Sequence, residues 1–257
     1  MPSILRLRDK TDNFTTNKAP LFDLPFRLLL VGKSGMGKTN FIANLLLRDE
    51  MYRKNFKPEN IYIFSGSLNG DAKLETIIKE LEIPRSNLFD KMDDDALEAI
   101  YDLLQEEYQD DVMDKRKPKN SLIILDDLSF GGGMQSATKK GDQVHRLFCN
   151  GRKFLVSIIV TTQKYSQIST VARENATAIV AGPSSNKQID LMESDVNYLS
   201  SKKEFQQMYR EQTPTKHDFF IINFSVPYLY QDKEFKPIPG HSALPDKIAR
   251  GKKGGEC

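Results

Sequence analysis

The stretch Gly32-Lys33-Ser34-Gly35-Met36-Gly37-Lys38-Thr39 constrains this chain most, because it satisfies G-x-x-x-x-G-K-[ST] without a mismatch. Its flanks supply the required context. Phe26-Arg27-Leu28-Leu29-Leu30-Val31 is an apolar run of strand length, and Asn40-Phe41-Ile42-Ala43-Asn44-Leu45-Leu46-Leu47 predicts a helix. Strand, glycine-rich loop and helix together make a phosphate cradle. The glycines permit a tight backbone with φ > 0. The loop N–H groups and the positive end of the helix then face phosphate oxygens. In such a loop Lys38 reaches the β- and γ-phosphates of ATP, and the Thr39 hydroxyl binds Mg²⁺.

A second element completes the expectation. Ser121-Leu122-Ile123-Ile124-Leu125-Asp126-Asp127 is a short, wholly apolar strand ending in acids, as a central parallel strand ends at a nucleotide site. Asp126 is the candidate for the Mg²⁺ shell, and Asp127 for orienting or deprotonating the attacking water. Residues 154–163 form another buried strand, closing on Thr161-Thr162-Gln163. Strand ends line the ligand crevice of a parallel sheet, so Gln163 has two readings: a contact to the γ-phosphate or its water, or a cap on the next turn.

The remaining chain alternates strands and helices. Strands are predicted at 60–65, 176–182 and 217–224, and helices at 71–82, 93–109, 142–150, 186–193 and 202–210. The class is α/β, with a central, mostly parallel sheet flanked by helices. Asp93-Asp94-Asp95 and Asp110-Asp111 bracket the 93–109 helix, and we read them as solvated helix-end charges. The basic loop Lys115-Arg116-Lys117-Pro118-Lys119 is either a linker or a phosphate-backbone contact. Gly131-Gly132-Gly133 predicts a flexible loop. We expect an N-terminal arm over 1–20, an ATPase domain over 21–227 and a polar extension over 228–257. That extension ends in a basic tail bearing Lys247, Arg250, Lys252 and Lys253.

Composition narrows the setting. The formal net charge of +2 does not mark a nucleic-acid binder; only a local patch would. Two cysteines, Cys149 and Cys257, give neither a disulfide scaffold nor a zinc spacing, which fits a reducing compartment. No apolar run reaches membrane-spanning length, and residues 1–12 lack a signal-peptide core.

The motif series resembles the FtsK–HerA branch of P-loop ATPases. It is most similar to the packaging ATPases of poxviruses, other large eukaryotic DNA viruses and virophages. The resemblance covers about residues 22–225. It is carried by Leu24-Pro25-Phe26-Arg27 before the phosphate loop, the strand ending in Asp126-Asp127, Asn150-Gly151-Arg152-Lys153 before the strand ending in Gln163, and Arg173-Glu174-Asn175-Ala176. It implies a RecA/FtsK-like fold and ATP hydrolysis coupled to translocation of double-stranded DNA during viral genome packaging. It further implies a hexameric or similar homo-oligomeric ring with DNA in its pore, and a capsid or portal-vertex partner. The setting it implies is a virion or a viral assembly site. Many relatives outside the viral group carry Glu where Asp127 stands. A ring also needs an arginine reaching the neighbour's γ-phosphate. Arg152, in the matching Gly-Arg element, is the first candidate and Arg173 the second. Two other uses of a phosphate loop stay open: a small-molecule or nucleotide kinase, and a regulatory ATPase such as a transposase helper.

Overall fold

A computed structural model describes residues 20–127, 142–224 and 230–239. One sheet of eight strands organises them, in the order β3-β2-β4-β5-β1-β6-β7-β8. The strands are β1 (Arg27–Val31), β2 (Ile61–Ser65), β3 (Leu88–Phe89), β4 (Ser121–Asp126), β5 (Val156–Thr162), β6 (Ala178–Ala181), β7 (Phe220–Asn223) and β8 (Tyr230–Gln231). The six strands from β3 to β6 in that order are parallel; β7 runs antiparallel to β6, and β8 antiparallel to β7. The predicted mostly parallel α/β sheet is therefore what forms.

The apolar runs explain the central position of β1, β4 and β5. A strand covered on both faces needs no polar alternation. Leu29, Val31, Ile123, Leu125, Ile158 and Val160 face one core, while Leu28, Leu30, Leu122, Ile124 and Ile159 face the other. α1 (Lys38–Leu47) and α2 (Ala72–Glu80) cover the second face. α3 (Asp94–Met113), α4 (Asp142–Asn150), α5 (Thr170–Asn175), α6 (Asn186–Val196) and α7 (Lys202–Gln212) contribute to the first.

Capping explains several helix starts. Asp71 accepts from the Lys73 and Leu74 N–H groups to begin α2, and Asp93 accepts from Ala96 N–H to begin α3. The Asp93-Asp94-Asp95 cluster is thus a cap followed by two first-turn acids, which complement the helix dipole. Among the described residues, no group of three or more His, Cys, Asp or Glu side chains is arranged to hold a metal ion.

Several boundaries differ from expectation, four of them for a reason visible in the structure. α3 runs past 109 to Met113, because Asp111 is buried and paired with Arg116 instead of marking a solvated end. β5 begins at Val156, since residues 151–154 form a 3₁₀ turn and Leu155 takes a left-handed φ of 58°. β5 ends at Thr162, which leaves Gln163 just beyond the strand. β8 lies past residue 227, where the ATPase domain was expected to end, and Tyr230, Phe235 and Ile238 are buried in the same cores. This last segment also ties down the entry to β1: Gln231 and Asn223 both donate to the Pro20 carbonyl, at 2.9 and 3.2 Å. The N-terminal arm up to residue 19, Gly131-Gly132-Gly133 and the basic tail lie outside the described residues. Among the described residues, no helix is long and apolar enough to cross a membrane.

Candidate functional site: a phosphate loop beside two strand-end acids

The loop joining β1 to α1 has the backbone its glycines allow. Gly35 and Gly37 adopt φ of 72° and 99°, values that side-chain-bearing residues rarely take. Gly37 caps α1, so the helix begins at Lys38 with its first N–H groups directed toward the loop. Gly32 N–H donates to the Thr162 carbonyl at 2.9 Å, which joins the loop to the end of β5. Met36 is buried against Gly182: a Cβ added there would stand 2.6 Å from its Cε, so the tip of the methionine would have to move. Lys33 and Ser34 belong to the exposed part of the same loop.

Lys38 folds back on its own loop, donating from Nζ to the Gly32 carbonyl at 2.7 Å. Burial lowers its pKa, while the charges of Asp127 and Asp126 act in the opposite sense. The two acids therefore lie within electrostatic reach of the lysine. Ser34, Gly35, Gly37, Lys38 and Thr39 line one cavity of about 230 Å³ with Asp126 and Asp127.

The strand-end acids are held by their neighbours across the sheet. Asp126 accepts from Ser65 Oγ at 2.9 Å, at the end of β2, and from Thr161 Oγ1 at 2.6 Å, near the end of β5. The same Thr161 hydroxyl accepts from Asp127 N–H at 2.8 Å. Asp127 takes a left-handed φ of 49°, a conformation that aspartate tolerates better than most residues. Gln163 donates from Nε2 to Asp127 Oδ2 at 3.2 Å. Lys38, Thr39, Asp126, Asp127 and Gln163 are thus assembled at one end of the sheet.

Asp71 was not anticipated. It accepts from Thr39 Oγ1 at 2.9 Å through one carboxylate oxygen and caps α2 through the other. It sits 32 residues from Thr39 in sequence, so no local spacing announces the contact. Ser65 and Thr161 were missed for the same reason.

The two arginines are placed elsewhere. Arg152 is exposed and precedes β5, at the opposite end of that strand from the phosphate loop. A seven-residue strand puts about 20 Å between those ends. Arg173 is committed within its own chain: its Nε lies 2.9 Å from Asp195 Oδ2, and its guanidinium stands over the Tyr165 ring at 5.2 Å.

The donor set suits a hard cation. The Thr39 hydroxyl and the Asp126 carboxylate face one cavity, and Mg²⁺ is typically held by one or two carboxylates, phosphate oxygens and retained waters. A bound Mg²⁺ would neutralise phosphate charge there.

Comparisons with known proteins agree with this geometry. The chain aligns with B204, the DNA-packaging ATPase of Sulfolobus turreted icosahedral virus, at a TM-score of 0.56 and 13% identity, covering 84% of this chain and 98% of that one. It aligns with the genome packaging NTPase B204 of Sulfolobus turreted icosahedral virus 2 in complex with AMP at 0.54 and 15%, covering 83% and 98%. EssC (ATPases 2 and 3) from Geobacillus thermodenitrificans aligns at 0.55 and 16%, covering 88% of this chain and 42% of that one. At these identities the likeness establishes the fold, a P-loop ATPase sheet. No curated protein sequence matches the chain. A family model described as the poxvirus A32 protein matches residues 12–234, which is most of the chain. On that match, the chain belongs to the poxvirus A32 protein family, the packaging-ATPase family its motifs resemble.

Proposed function

We propose that this chain is an ATPase that drives double-stranded DNA into a viral capsid. The observation that carries the reading is the cavity in which Ser34, Gly35, Gly37, Lys38 and Thr39 of the phosphate loop meet Asp126 and Asp127. Membership of the poxvirus A32 family supplies the biological direction.

In this reading the backbone of Gly32 to Thr39 cradles the phosphates of ATP. Lys38 leaves the Gly32 carbonyl and turns to the β- and γ-phosphates. Thr39 and Asp126 hold Mg²⁺. Asp127 orients the attacking water and takes its proton, and Gln163 positions Asp127 from the next strand. Arg152, which is remote from its own site, acts on a neighbour's γ-phosphate in a homo-oligomeric ring. Residues 20–239 form the motor domain. The ring surrounds double-stranded DNA and docks on a capsid or portal-vertex protein at the viral assembly site.

The test is ATP hydrolysis with and without double-stranded DNA. The expected result is turnover that rises when DNA is added and is lost in Lys38→Ala. Turnover indifferent to DNA but dependent on a small phosphate acceptor would identify a kinase. Wild-type turnover in Lys38→Ala would remove the phosphate-loop assignment.

A further inference from the structure

A second, larger space adjoins the phosphate cavity. A groove of about 870 Å³ runs between α1 and the segments at 217–219 and 233–235. It shares Asn40 with the phosphate cavity, so the two spaces meet at the first turn of α1. Its wall is aromatic. Phe41 lies 5.5 Å from Phe219 and 6.0 Å from Phe235, ring centre to ring centre. The three rings are largely buried against one another, so the groove offers a base an apolar floor.

The segment that closes the groove also borders the loop. A Cβ added to Gly35 would stand 3.1 Å from Lys216 Nζ, and one added to Gly37 would stand 3.7 Å from His217 Nδ1. His217 Nδ1 lies 3.3 Å from the Met36 carbonyl. A carbonyl oxygen only accepts, so the proton of the neutral imidazole is on Nδ1 and Nε2 carries the lone pair. His217 lines the groove and is exposed there.

We propose that this groove takes the nucleoside of the bound triphosphate, with His217 Nε2 accepting from the exocyclic amino group of adenine. His217 is then a specificity-determining residue. Guanine presents a carbonyl oxygen at the equivalent ring position, which would set two acceptors against each other. A purine with no substituent there simply loses the bond. The assignment rests on the ATPase reading of the adjoining cavity, because the phosphates anchor the nucleoside beside Asn40.

The experiment compares equilibrium binding of ATP, GTP, purine riboside triphosphate and inorganic tripolyphosphate to wild type, His217→Phe and His217→Gln. Wild type is expected to prefer ATP over purine riboside triphosphate by roughly fivefold or more, and over GTP by a larger factor. His217→Phe should erase the first preference and leave tripolyphosphate affinity unchanged. His217→Gln, which keeps an acceptor, should retain part of it. Equal wild-type affinity for ATP and purine riboside triphosphate overturns the proposal. So does a His217→Phe variant whose tripolyphosphate affinity falls as far as its ATP affinity, since the histidine would then only prop the loop through Met36. Wild-type protein that binds neither ATP nor tripolyphosphate would instead fail the phosphate-loop assignment itself.

Discussion

Gln163 Nε2 donates to Asp127 Oδ2 at 3.2 Å, and this contact joins the residue after β5 to the residue after β4. The two strands are parallel neighbours, with Leu125 opposite Val160. Thr161 lies between the two ends and serves both acids: its hydroxyl accepts from Asp127 N–H and donates to Asp126. An extended strand would send adjacent carboxylates to opposite faces, whereas the left-handed turn at Asp127 leaves both on one cavity with different partners. Asp126 is drawn to Ser65 and Thr161, and Asp127 to Gln163.

This division predicts different outcomes at the two positions after β4 and β5. Asp127→Asn keeps the size of the side chain but removes a base. Turnover should fall by about 10²-fold or more, with ATP affinity within a few-fold of wild type. Gln163→Ala leaves the carboxylate in place but frees it to wander, so the loss should be smaller, on the order of tenfold. Single-turnover hydrolysis beside equilibrium ATP binding separates the two. Wild-type turnover in Asp127→Asn would remove its assignment as the base.

Thr161 gives a second prediction. Its side chain is fully buried, so Thr161→Val removes the hydroxyl that bonds Asp127 N–H and one Asp126 oxygen. The expected cost is about 1–3 kcal/mol of stability, since a buried polar group loses its hydrogen bond. ATP hydrolysis should also need more Mg²⁺ for half-maximal rate, because Asp126 is less well aimed. Thr161→Ser restores the hydroxyl and should recover both properties. Urea unfolding and a Mg²⁺ titration read them out. An unchanged Mg²⁺ requirement in the valine variant would mean that Asp126 needs no such support.

The central sheet and the phosphate loop were legible because their signals are local. A motif of eight residues lies between an apolar strand and a helix, and β4 and β5 are long apolar runs. Shorter elements gave no period to detect. β3 and β8 have two residues each, and α5 has six. The second rank of the site was hidden for another reason. Asp71, Ser65 and Thr161 reach Thr39 and Asp126 only after three strands align, so the contacts are set by sheet order and not by spacing. Asp111 misled because an acid near a helix end usually faces water; here Arg116 bonds it at 2.7 Å and lets the helix continue. The Arg-x-Asn element was visible, but nothing adjacent announced that Asp195 would engage its arginine.

That engagement makes a third prediction. The Arg173 side chain is only 11% exposed and the Asp195 side chain 28%. Burial pushes the Tyr165 phenol upward, and the charge of Asp195 adds to the shift. Removing either member of the pair leaves a charge in a poorly solvated place. Arg173→Ala should therefore destabilise the domain by about 2 kcal/mol or more, and Asp195→Ala by a similar amount. The double variant should cost less than the sum of the two. A trans-acting arginine would behave otherwise, with unaltered urea midpoint and lost ATPase activity. That outcome would return Arg173 to the junction between subunits.

The last prediction concerns Arg152. It is exposed and stands at the far end of β5 from its own phosphate loop, so it cannot act there within one chain. Its charge also reaches Arg27, whose pKa is lowered to about 10, first by burial and then by Arg152. Two like charges at one rim favour an arrangement in which an anion approaches from outside. A neighbour's triphosphate is such an anion. Arg152→Ala and Lys38→Ala should each abolish hydrolysis when assembled alone. Mixed in equal amounts, they form some junctions with an intact Lys38 on one side and an intact Arg152 on the other. In a ring with head-to-tail contacts these are about a quarter of all junctions, so up to that share of wild-type activity should return. The recovered rate should fall on dilution, as subunits separate. No recovery at any mixing ratio, with both variants folded and able to co-assemble, would exclude Arg152 as the residue supplied in trans.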